Sequence, residues 1–264
     1  MNYAGILGYF VSVPLIILSI IYAISSYRGK SAGNDSIKKE LLALLAMVLI
    51  AFIYTTPWDN YLVATGVWWY DVTKIIGTIG WVPIEEYSFF ILQTLLTGVF
   101  FLWIRSNDRF KTADYTPKNK FLRIGSFTAV FVQWLVAVIL FLSGENLFTY
   151  LALILSWALI PVMLQLLIGA DIIWKHRLSV LTAIIIPSVY LAVVDALAIA
   201  DGIWTISTGT STGLLLGGVL PVEEAVFFFV TNVLVVFGLT LVLDENSMKR
   251  VRMHFMNKGE NRLK

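Results

Sequence analysis

The chain has 264 residues, of which 58% are hydrophobic and only 14% are charged, and its mean hydropathy is +0.82. Soluble domains carry roughly a quarter charged residues, so 19 basic and 17 acidic side chains are too few to cover the surface of a soluble protein of this length. The high hydrophobicity also excludes a disordered chain. Because the sequence has no cysteine and only two histidines in polar stretches, we expect neither disulfides nor a metal site. The composition predicts a multi-pass protein of the cell membrane.

Seven apolar segments are each long enough to cross a hydrocarbon layer of about 30 Å, which takes roughly 20 helical residues. They lie at 4–26, 39–57, 83–104, 122–142, 147–169, 179–200 and 221–243. The first segment has neither a basic start nor a small-residue cleavage site, so we expect a mature helix there and not a signal peptide. The sequence therefore predicts an all-α integral membrane protein with seven transmembrane helices.

Lysine and arginine residues occur in alternate connections between these segments. The connections after helices one, three, five and seven hold 18 of the 19 basic residues, and the remaining connections hold only Lys74. Because basic loops stay in the cytoplasm, we expect the N-terminus outside and the C-terminus in the cytoplasm. We interpret the basic loops as determinants of topology that contact anionic membrane lipid, and we expect no nucleic-acid partner.

Two blocks of the sequence recur with conserved spacing between their residues. The recurring residues are Asp59, Gly66 and Trp68 with Asp195, Gly202 and Trp204, and Pro83, Glu85, Glu86, Phe89 and Phe90 with Pro221, Glu223, Glu224, Phe227 and Phe228. Helices one to three thus match helices five to seven, and helix four gives both copies the same orientation. The sequence predicts two parallel three-helix repeats at 1–105 and 147–245, joined by a linker with a joining helix at 106–146. A basic cytoplasmic tail follows at 246–264.

Acidic residues collect at the outward ends of helices two, three, six and seven, or in the loops that join them. They form two groups of four, one in each repeat: Asp59, Asp71, Glu85 and Glu86, then Asp195, Asp201, Glu223 and Glu224. A carboxylate near or inside a membrane is costly to ionise, so such residues are candidates for function.

The paired glutamates have a structural interpretation and a functional one. Proline at the first turn of a helix costs nothing, and glutamate there complements the helix dipole. Their recurrence with a Phe pair and an aspartate favours a functional site, because capping needs neither. Adjacent glutamates diverge by about 100° around a helix, so only one of each pair can point fully into a site. A second carboxylate close by helps to keep a proton available, as a general acid requires.

Aromatic residues crowd the same places, and they also have two interpretations. One is the aromatic belt at the boundary between lipid and water, which fits Trp81 and Tyr70 at least as well as a site does. The other is a wall of π faces around a cationic intermediate. The candidate residues beside the acids are Trp58, Tyr61, Trp68, Phe89, Phe90, Gln93, Trp204, Phe227 and Phe228. A proton donor beside such a wall indicates carbocation chemistry on an apolar alkene.

The combination of motifs resembles the heterodimeric or fused-type lycopene cyclases, which are membrane carotenoid cyclases. The resemblance rests on Pro57-Trp58-Asp59-Asn60-Tyr61, Gly66-Val67-Trp68 and Pro83-Ile84-Glu85-Glu86-Tyr87 in the first half, and on Asp195, Gly202-Ile203-Trp204 and Pro221-Val222-Glu223-Glu224 in the second. It covers about residues 1–245 and implies the fused form, with both halves in one chain. It implies ring closure at the acyclic ends of lycopene, giving γ-carotene and then β-carotene without electron transfer or cofactor. The absence of a Gly-x-Gly-x-x-Gly segment for a flavin agrees with this.

The resemblance also implies roles for the acids. One of Glu85, Glu86, Glu223 and Glu224 would protonate the terminal double bond of lycopene. Asp59 and Asp195 would shape the site or take up the proton, with capping of the outer loops as the alternative. The implied partners are lycopene and related carotenoids, membrane lipid and other enzymes of the carotenoid pathway.

The two copies differ at several positions beside the acids. The residues at these positions are Trp58, Asn60, Tyr61 and Tyr87 in the first copy and Val194, Ala196, Leu197 and Ala225 in the second. The second copy has therefore lost polar and aromatic groups, and two equal active sites are not expected. We predict one composite pocket between the repeats.

Two other classes of membrane protein share the helix count. A small transporter can have three helices, a joining helix and three more, but its binding site lies near the midplane, and here the acids lie at one membrane end. Few Asn or Ser residues line the spans to hold a polar solute. A retinal-binding receptor needs a lysine in helix seven, and residues 221–243 contain none.

Overall fold

A computed structural model describes residues 1–28, 34–106, 118–144 and 146–250. Seven of its helices are long and apolar enough to cross a membrane: Tyr3–Tyr27, Asp35–Ala64, Ile84–Arg105, Lys120–Leu142, Asn146–Lys175, Arg177–Ala200 and Val222–Leu243. The predicted set of seven membrane helices is thus confirmed. Residues 107–117 and 145 of the predicted linker, Lys30, and the tail from 251 to 264 lie outside the described residues, together with the cations that they carry.

The first membrane helix consists of three consecutive segments. Helix α1 spans Tyr3–Ile6, a π-helical segment spans Leu7–Ser12, and α2 spans Val13–Arg28. The Asn2 side chain caps the start by accepting a hydrogen bond of 2.9 Å from the Gly5 backbone N–H. Segments of π-helix are rare in proteins, and those that occur often lie at functional sites.

Helix α3 spans Asn34–Ala64 and is longer than the predicted 39–57. The prediction that this helix ends at Pro57 is wrong, because the chain continues in helical conformation through the proline for two further turns. Proline is tolerated in a membrane helix because neighbouring groups satisfy the freed backbone atoms. The extension places Asp59 on the helix and not in a loop.

Two glycines end the second helix of each half in the same way. Gly66 follows α3 and Gly202 follows α7 (Arg177–Ala200), with φ of +73° and +65°. The N–H of Val67 donates to the Leu62 carbonyl at 3.0 Å, and a matching bond of 3.0 Å joins Ile203 to Ala198. Both ends are Schellman caps, which need a residue with positive φ. The recurring glycines of the sequence are therefore helix stops.

The loops between the helices form short strands, which the all-α prediction did not include. They are β1 (Trp68–Tyr70), β2 (Thr78–Ile79), β3 (Val82–Pro83), β4 (Trp204–Ile206), β5 (Leu215–Leu216) and β6 (Leu220–Pro221). Strands β2 and β3 form a hairpin, and so do β5 and β6. Strand β1 pairs antiparallel with β4, with Trp68 opposite Ile206 and Tyr70 opposite Trp204. Backbone hydrogen bonds thus join the loops of the two halves.

Two helices form the centre of the molecule. They are α4 (Ile84–Arg105) and α8 (Val222–Leu243), and the Thr97 hydroxyl of α4 donates to Asn232 Oδ1 of α8 at 2.6 Å. Helix α5 (Lys120–Leu142) is the least buried of the seven and packs on α6 (Thr149–Lys175).

The prediction that the fifth membrane helix, α6, ends at residue 169 is wrong. The chain bends at Gly169, whose φ is −162° and ψ is 43°, and helix follows to Lys175.

Polar contacts fix the end of the molecule opposite the strands. Asp171 is fully buried and accepts two hydrogen bonds of 2.7 Å from the Arg250 guanidinium. A carboxyl oxygen of Asp244 lies 3.2 Å from His176 Nε2. These contacts tie the segment after α8 to the end of α6.

Candidate active site

Each pair of glutamates lies in the first turn of a central helix, and its first member holds a loop. Glu85 Oε1 accepts a hydrogen bond of 2.7 Å from the Ile76 backbone N–H, and Glu223 Oε1 accepts one of 2.6 Å from the N–H of Thr212. Both side chains are buried, at 3% and 0% exposure. Glu85 and Glu223 therefore anchor the loops that precede α4 and α8.

The second member of each pair points into a cavity and accepts from tyrosines. Glu86 accepts hydrogen bonds from the hydroxyls of Tyr3 and Tyr70, the latter at 3.1 Å. Glu224 accepts one from the Tyr150 hydroxyl at 2.6 Å. Burial and the nearby Glu86 raise the pKa of Tyr70 well above its usual value, so that this phenol keeps its proton and remains a donor.

Asp59 and Asp195 complete a set of four carboxyl groups around the same cavity. Their side chains are buried, at 2% and 4% exposure, and Oδ2 of each has no hydrogen-bond partner within the described residues. Buried polar atoms without partners are uncommon and need an explanation, of which a catalytic role is one.

The cavity has a volume of about 40 Å³, and both halves of the chain contribute to its wall. The described residues that line it include no lysine or arginine. Four carboxyl groups without a cation to balance them cannot all be charged in a buried space. At least one of the four carboxyl groups must therefore carry a proton.

Aromatic rings form much of the remaining wall. The rings that line the cavity, besides those of Tyr3 and Tyr150, belong to Trp58, Trp68, Phe89, Trp204, Phe227 and Phe228. The Trp58 and Phe227 rings stack with centroids 5.8 Å apart and an angle of 7°. Such faces attract positive charge in a space without water. Leu7 and Val11 of the π-helical segment add apolar contacts.

Several predicted site residues lie elsewhere. Glu85 and Glu223 are bound to the loops, and Tyr61 is 46% exposed near the end of α3. Phe90 and Gln93 line a neighbouring groove, where Gln93 Nε2 donates to Thr231 Oγ1 at 2.7 Å.

The expected two groups of four acids are not found as such. Asp71 accepts from the Thr73 N–H and hydroxyl at 2.9 and 2.6 Å, and these bonds lower its pKa. Asp201 pairs with the N-terminal amine, which lowers its pKa. These two acids face solvent, and the remaining acids contribute to one shared cavity or hold loops.

Three tyrosines of the site have no role in the sequence-based prediction. Tyr70 is left open there between the aromatic belt and the site, and Tyr3 and Tyr150 are not singled out. A signal for the latter two exists, since each stands eleven residues before a proline in the first helix of its half, Pro14 and Pro161. This match lies outside the two recurring blocks, which begin only at the second helix.

Buried carboxyl groups and aromatic walls in a chain with seven long apolar helices are typical of one class of protein, a membrane enzyme for acid–base chemistry on an apolar substrate. A family model described as lycopene cyclase matches residues 8–104 and again residues 146–242. The chain belongs to the lycopene cyclase family.

Curated relatives agree with this family. A lycopene beta-cyclase of Halobacterium salinarum is 37% identical over 240 residues, which are 91% of this chain and 95% of that protein. A bifunctional lycopene cyclase/phytoene synthase of Podospora anserina is 36% identical over 76% of this chain and 35% of its own length. A protein of the same name from Blakeslea trispora is 35% identical over 78% of this chain and 33% of its own length. No solved structure matches the chain.

Proposed function

We propose that the protein is a lycopene cyclase that closes the acyclic ends of lycopene into β-rings, first to γ-carotene and then to β-carotene. The observation that carries the proposal is the set of four buried carboxyl groups around one aromatic-walled cavity, in a chain of the lycopene cyclase family. A cyclisation needs a proton donor, a proton acceptor and protection of a cation from water, and this cavity offers all three. The transporter alternative is not favoured, because the family and the relatives are cyclases.

The proposed reaction neither gains nor loses electrons. A carboxylic acid protonates C2 of the terminal double bond and leaves a tertiary cation at C1. The electrons of the C5=C6 double bond then form the C1–C6 bond, and the positive charge moves to C5. A carboxylate removes the proton from C6, and a C5=C6 double bond forms again. One proton enters and one leaves, so the product is an isomer of the substrate.

Glu86 and Glu224 are the proposed proton donors, because the other glutamate of each pair is bound to a loop amide. Asp59 and Asp195 are proposed to take up the proton or to orient the end group. The rings proposed to stabilise the cation are Trp58, Trp68, Phe89, Trp204, Phe227 and Phe228. Tyr61, Phe90 and Gln93 do not line the cavity and are not proposed for this role.

The proposal includes the architecture of two parallel repeats at 1–105 and 147–245, with the linker at 106–146 and the tail at 246–264. The double match of the family model supports it, as do the matching Schellman caps at Gly66 and Gly202. We also propose that the N-terminus lies outside and the C-terminus in the cytoplasm, on the distribution of basic residues.

The proposed partners follow from the substrate. Lycopene and related carotenoids dissolve in the bilayer and would reach the protein from there. The exposed apolar side chains of the helices would contact membrane lipid. Contact with other carotenoid-pathway enzymes is supported by the fungal relatives, whose names combine a lycopene cyclase with a phytoene synthase.

The proposal is tested by expressing the chain in a host that accumulates lycopene and by separating the pigments. The wild type should give γ-carotene and β-carotene. Glu86→Gln and Glu224→Gln should each lower ring formation by at least about 100-fold, the effect of losing a general acid or base. Loss of the first ring in both variants would support one shared cavity.

The neighbouring glutamates provide a matched control. Glu85→Gln and Glu223→Gln retain a carbonyl acceptor for the loop amide and should keep most of the activity. Absence of any cyclic product from the wild type would refute the function. Full production of β-carotene by Glu86→Gln and Glu224→Gln would refute the assignment of the site.

A further inference from the structure

A groove of about 300 Å³ lies next to the carboxyl cavity, and we call it the α3–α6 groove after two of the helices that line it. Ile50 of α3 and Leu164 of α6 are 58% and 56% exposed on segments that cross the membrane, so the groove opens toward lipid. From Trp157 to Ile168 it follows α6 for about 16 Å, at 1.5 Å per residue. Its extent along α6 and its mostly apolar lining fit a long apolar molecule.

The α3–α6 groove adjoins the carboxyl cavity at aromatic side chains. Phe227 lines both spaces. Trp157 of the groove stacks on Trp58 of the cavity, with centroids 4.4 Å apart and an angle of 15°. This stack of rings therefore forms part of the wall between the groove and the carboxyl cavity.

A second groove, of about 330 Å³, lies between α2, α4 and α7 and serves as an internal comparison. It has Pro14, Ile17 and Ile21 on its wall, at a constant distance of 147 residues from Pro161, Leu164 and Ile168 of the α3–α6 groove. The Tyr190 hydroxyl donates to the Phe10 carbonyl there, as the Tyr54 hydroxyl donates to the Trp157 carbonyl.

The two grooves differ in their relation to the acids. None of the described residues that line the second groove also lines the carboxyl cavity. Phe10 and Val194 occupy the positions that correspond to Trp157 and Trp58, so the stack of tryptophans has no counterpart on that side. Apolar side chains form most of the wall of both grooves, and the wall of the α3–α6 groove also includes Thr55, Gln93, Thr94, Gln165 and Thr231. Of the two grooves, only the α3–α6 groove shares a described lining residue with the carboxyl cavity.

We propose that the α3–α6 groove is the binding site for the polyene chain of an acyclic carotenoid, whose end group passes the Trp58–Trp157–Phe227 stack to reach the acids. The proposal rests on the proposed function. The carboxyl cavity, at about 40 Å³, has room for only a few water molecules, so most of a C40 substrate must lie outside it. The groove supplies the adjoining apolar space in which that remainder can lie.

The test fills each groove with a tryptophan at corresponding positions. Leu164→Trp narrows the α3–α6 groove, and Ile17→Trp narrows the second groove. The two residues are equally exposed, at 56% and 54%, so both variants should fold. We expect Leu164→Trp to lower the rate of γ-carotene formation at limiting lycopene about tenfold, which corresponds to about 1.4 kcal/mol of substrate binding, and Ile17→Trp to leave it unchanged. Ile168→Trp and Ile21→Trp form a second matched pair, with 39% and 40% exposure.

The outcomes are separated by measuring lycopene that co-purifies with the Glu86→Gln variant in each background. Less bound lycopene and slower cyclisation in Leu164→Trp and Ile168→Trp alone would support the proposal. The proposal would be overturned by equal effects in both grooves, by an effect in the second groove only, or by no effect in either. The last outcome would assign the α3–α6 groove to lipid tails. A wild type without cyclase activity would instead overturn the proposed function.

Discussion

Removal of one hydroxyl group, by Tyr150→Phe, tests whether the tyrosines control the acids. The Tyr150 hydroxyl gives Glu224 its single hydrogen bond from a tyrosine among the described residues, at 2.6 Å. Glu86 receives two such bonds, from Tyr3 and Tyr70. Loss of one tyrosine therefore leaves Glu224 without a phenol donor, whereas Glu86 keeps one.

The expected size of the effect follows from this difference. A buried hydrogen bond to a charged group contributes about 1.5–3 kcal/mol, which corresponds to roughly ten- to a hundredfold in rate if the bond is lost from the transition state. Tyr150→Phe should fall in that range. Tyr3→Phe should cost about 1 kcal/mol, or roughly fivefold, because the Tyr70 hydroxyl remains. The double variant Tyr3→Phe/Tyr70→Phe should lose as much activity as Tyr150→Phe.

The assay is the initial rate of γ-carotene formation by purified protein in lipid nanodiscs, per amount of folded protein. Thermal unfolding of each variant serves as the control, since an orphaned buried acceptor also lowers stability. Equal losses of activity in Tyr3→Phe and Tyr150→Phe, or the wild-type rate in Tyr150→Phe, would show that the tyrosines do not control the acids in this way.

Two further predictions concern the opposite end of the molecule. Asp171→Ala should lower the free energy of unfolding by about 3–5 kcal/mol in chemical denaturation, because it removes a buried partner of Arg250. The control Glu245→Ala changes a side chain that is 89% exposed and should alter this free energy by less than about 0.5 kcal/mol. Equal losses in the two variants would contradict a stabilising role of the Asp171–Arg250 pair. Burial by itself raises the pKa of Asp244, but hydrogen bonds, above all from His176, lower it to about 2. The charged carboxylate then contributes at most about 2 kcal/mol above its ordinary pKa of 3.8, and this contribution is lost as the pH falls through about 2. Asp244→Asn should therefore melt earlier than the wild type at pH 6 but not at pH 2, and an equal difference at both pH values would count against this explanation.

The membrane helices are predictable because hydropathy over some twenty residues is a strong and local signal. The ends of these helices are less predictable from the sequence. Pro57 and the polar residues after it resemble the end of a helix, yet α3 continues, and it buries Asp59 and Leu62 on one face of the added turns. The strands β1 and β4 pair across the two halves, and a pairing at such a distance in sequence has no local signal.

The candidate site is predictable as far as the recurring residues allow. Glu86, Glu224, Asp59 and Asp195 all line one cavity. Within each glutamate pair one side chain binds a loop amide and the other lines the cavity. Which of the two does so depends on where the loop amide lies, and the spacing of residues does not reveal this. The role of Tyr3 is equally hidden from the sequence, because its contact with Glu86 joins distant parts of the chain.

The small volume of the carboxyl cavity has a consequence for the fidelity of the products. A tertiary carbocation has two fates, since it can lose a proton to give an alkene or capture water to give an alcohol. At about 40 Å³ the cavity has room for a few water molecules, and on the proposed mechanism an entering end group would displace them and widen the space that it then fills. Deprotonation would then be the remaining fate of the cation, so that the packing of aromatic rings around the acids would favour a hydrocarbon over a hydroxylated pigment.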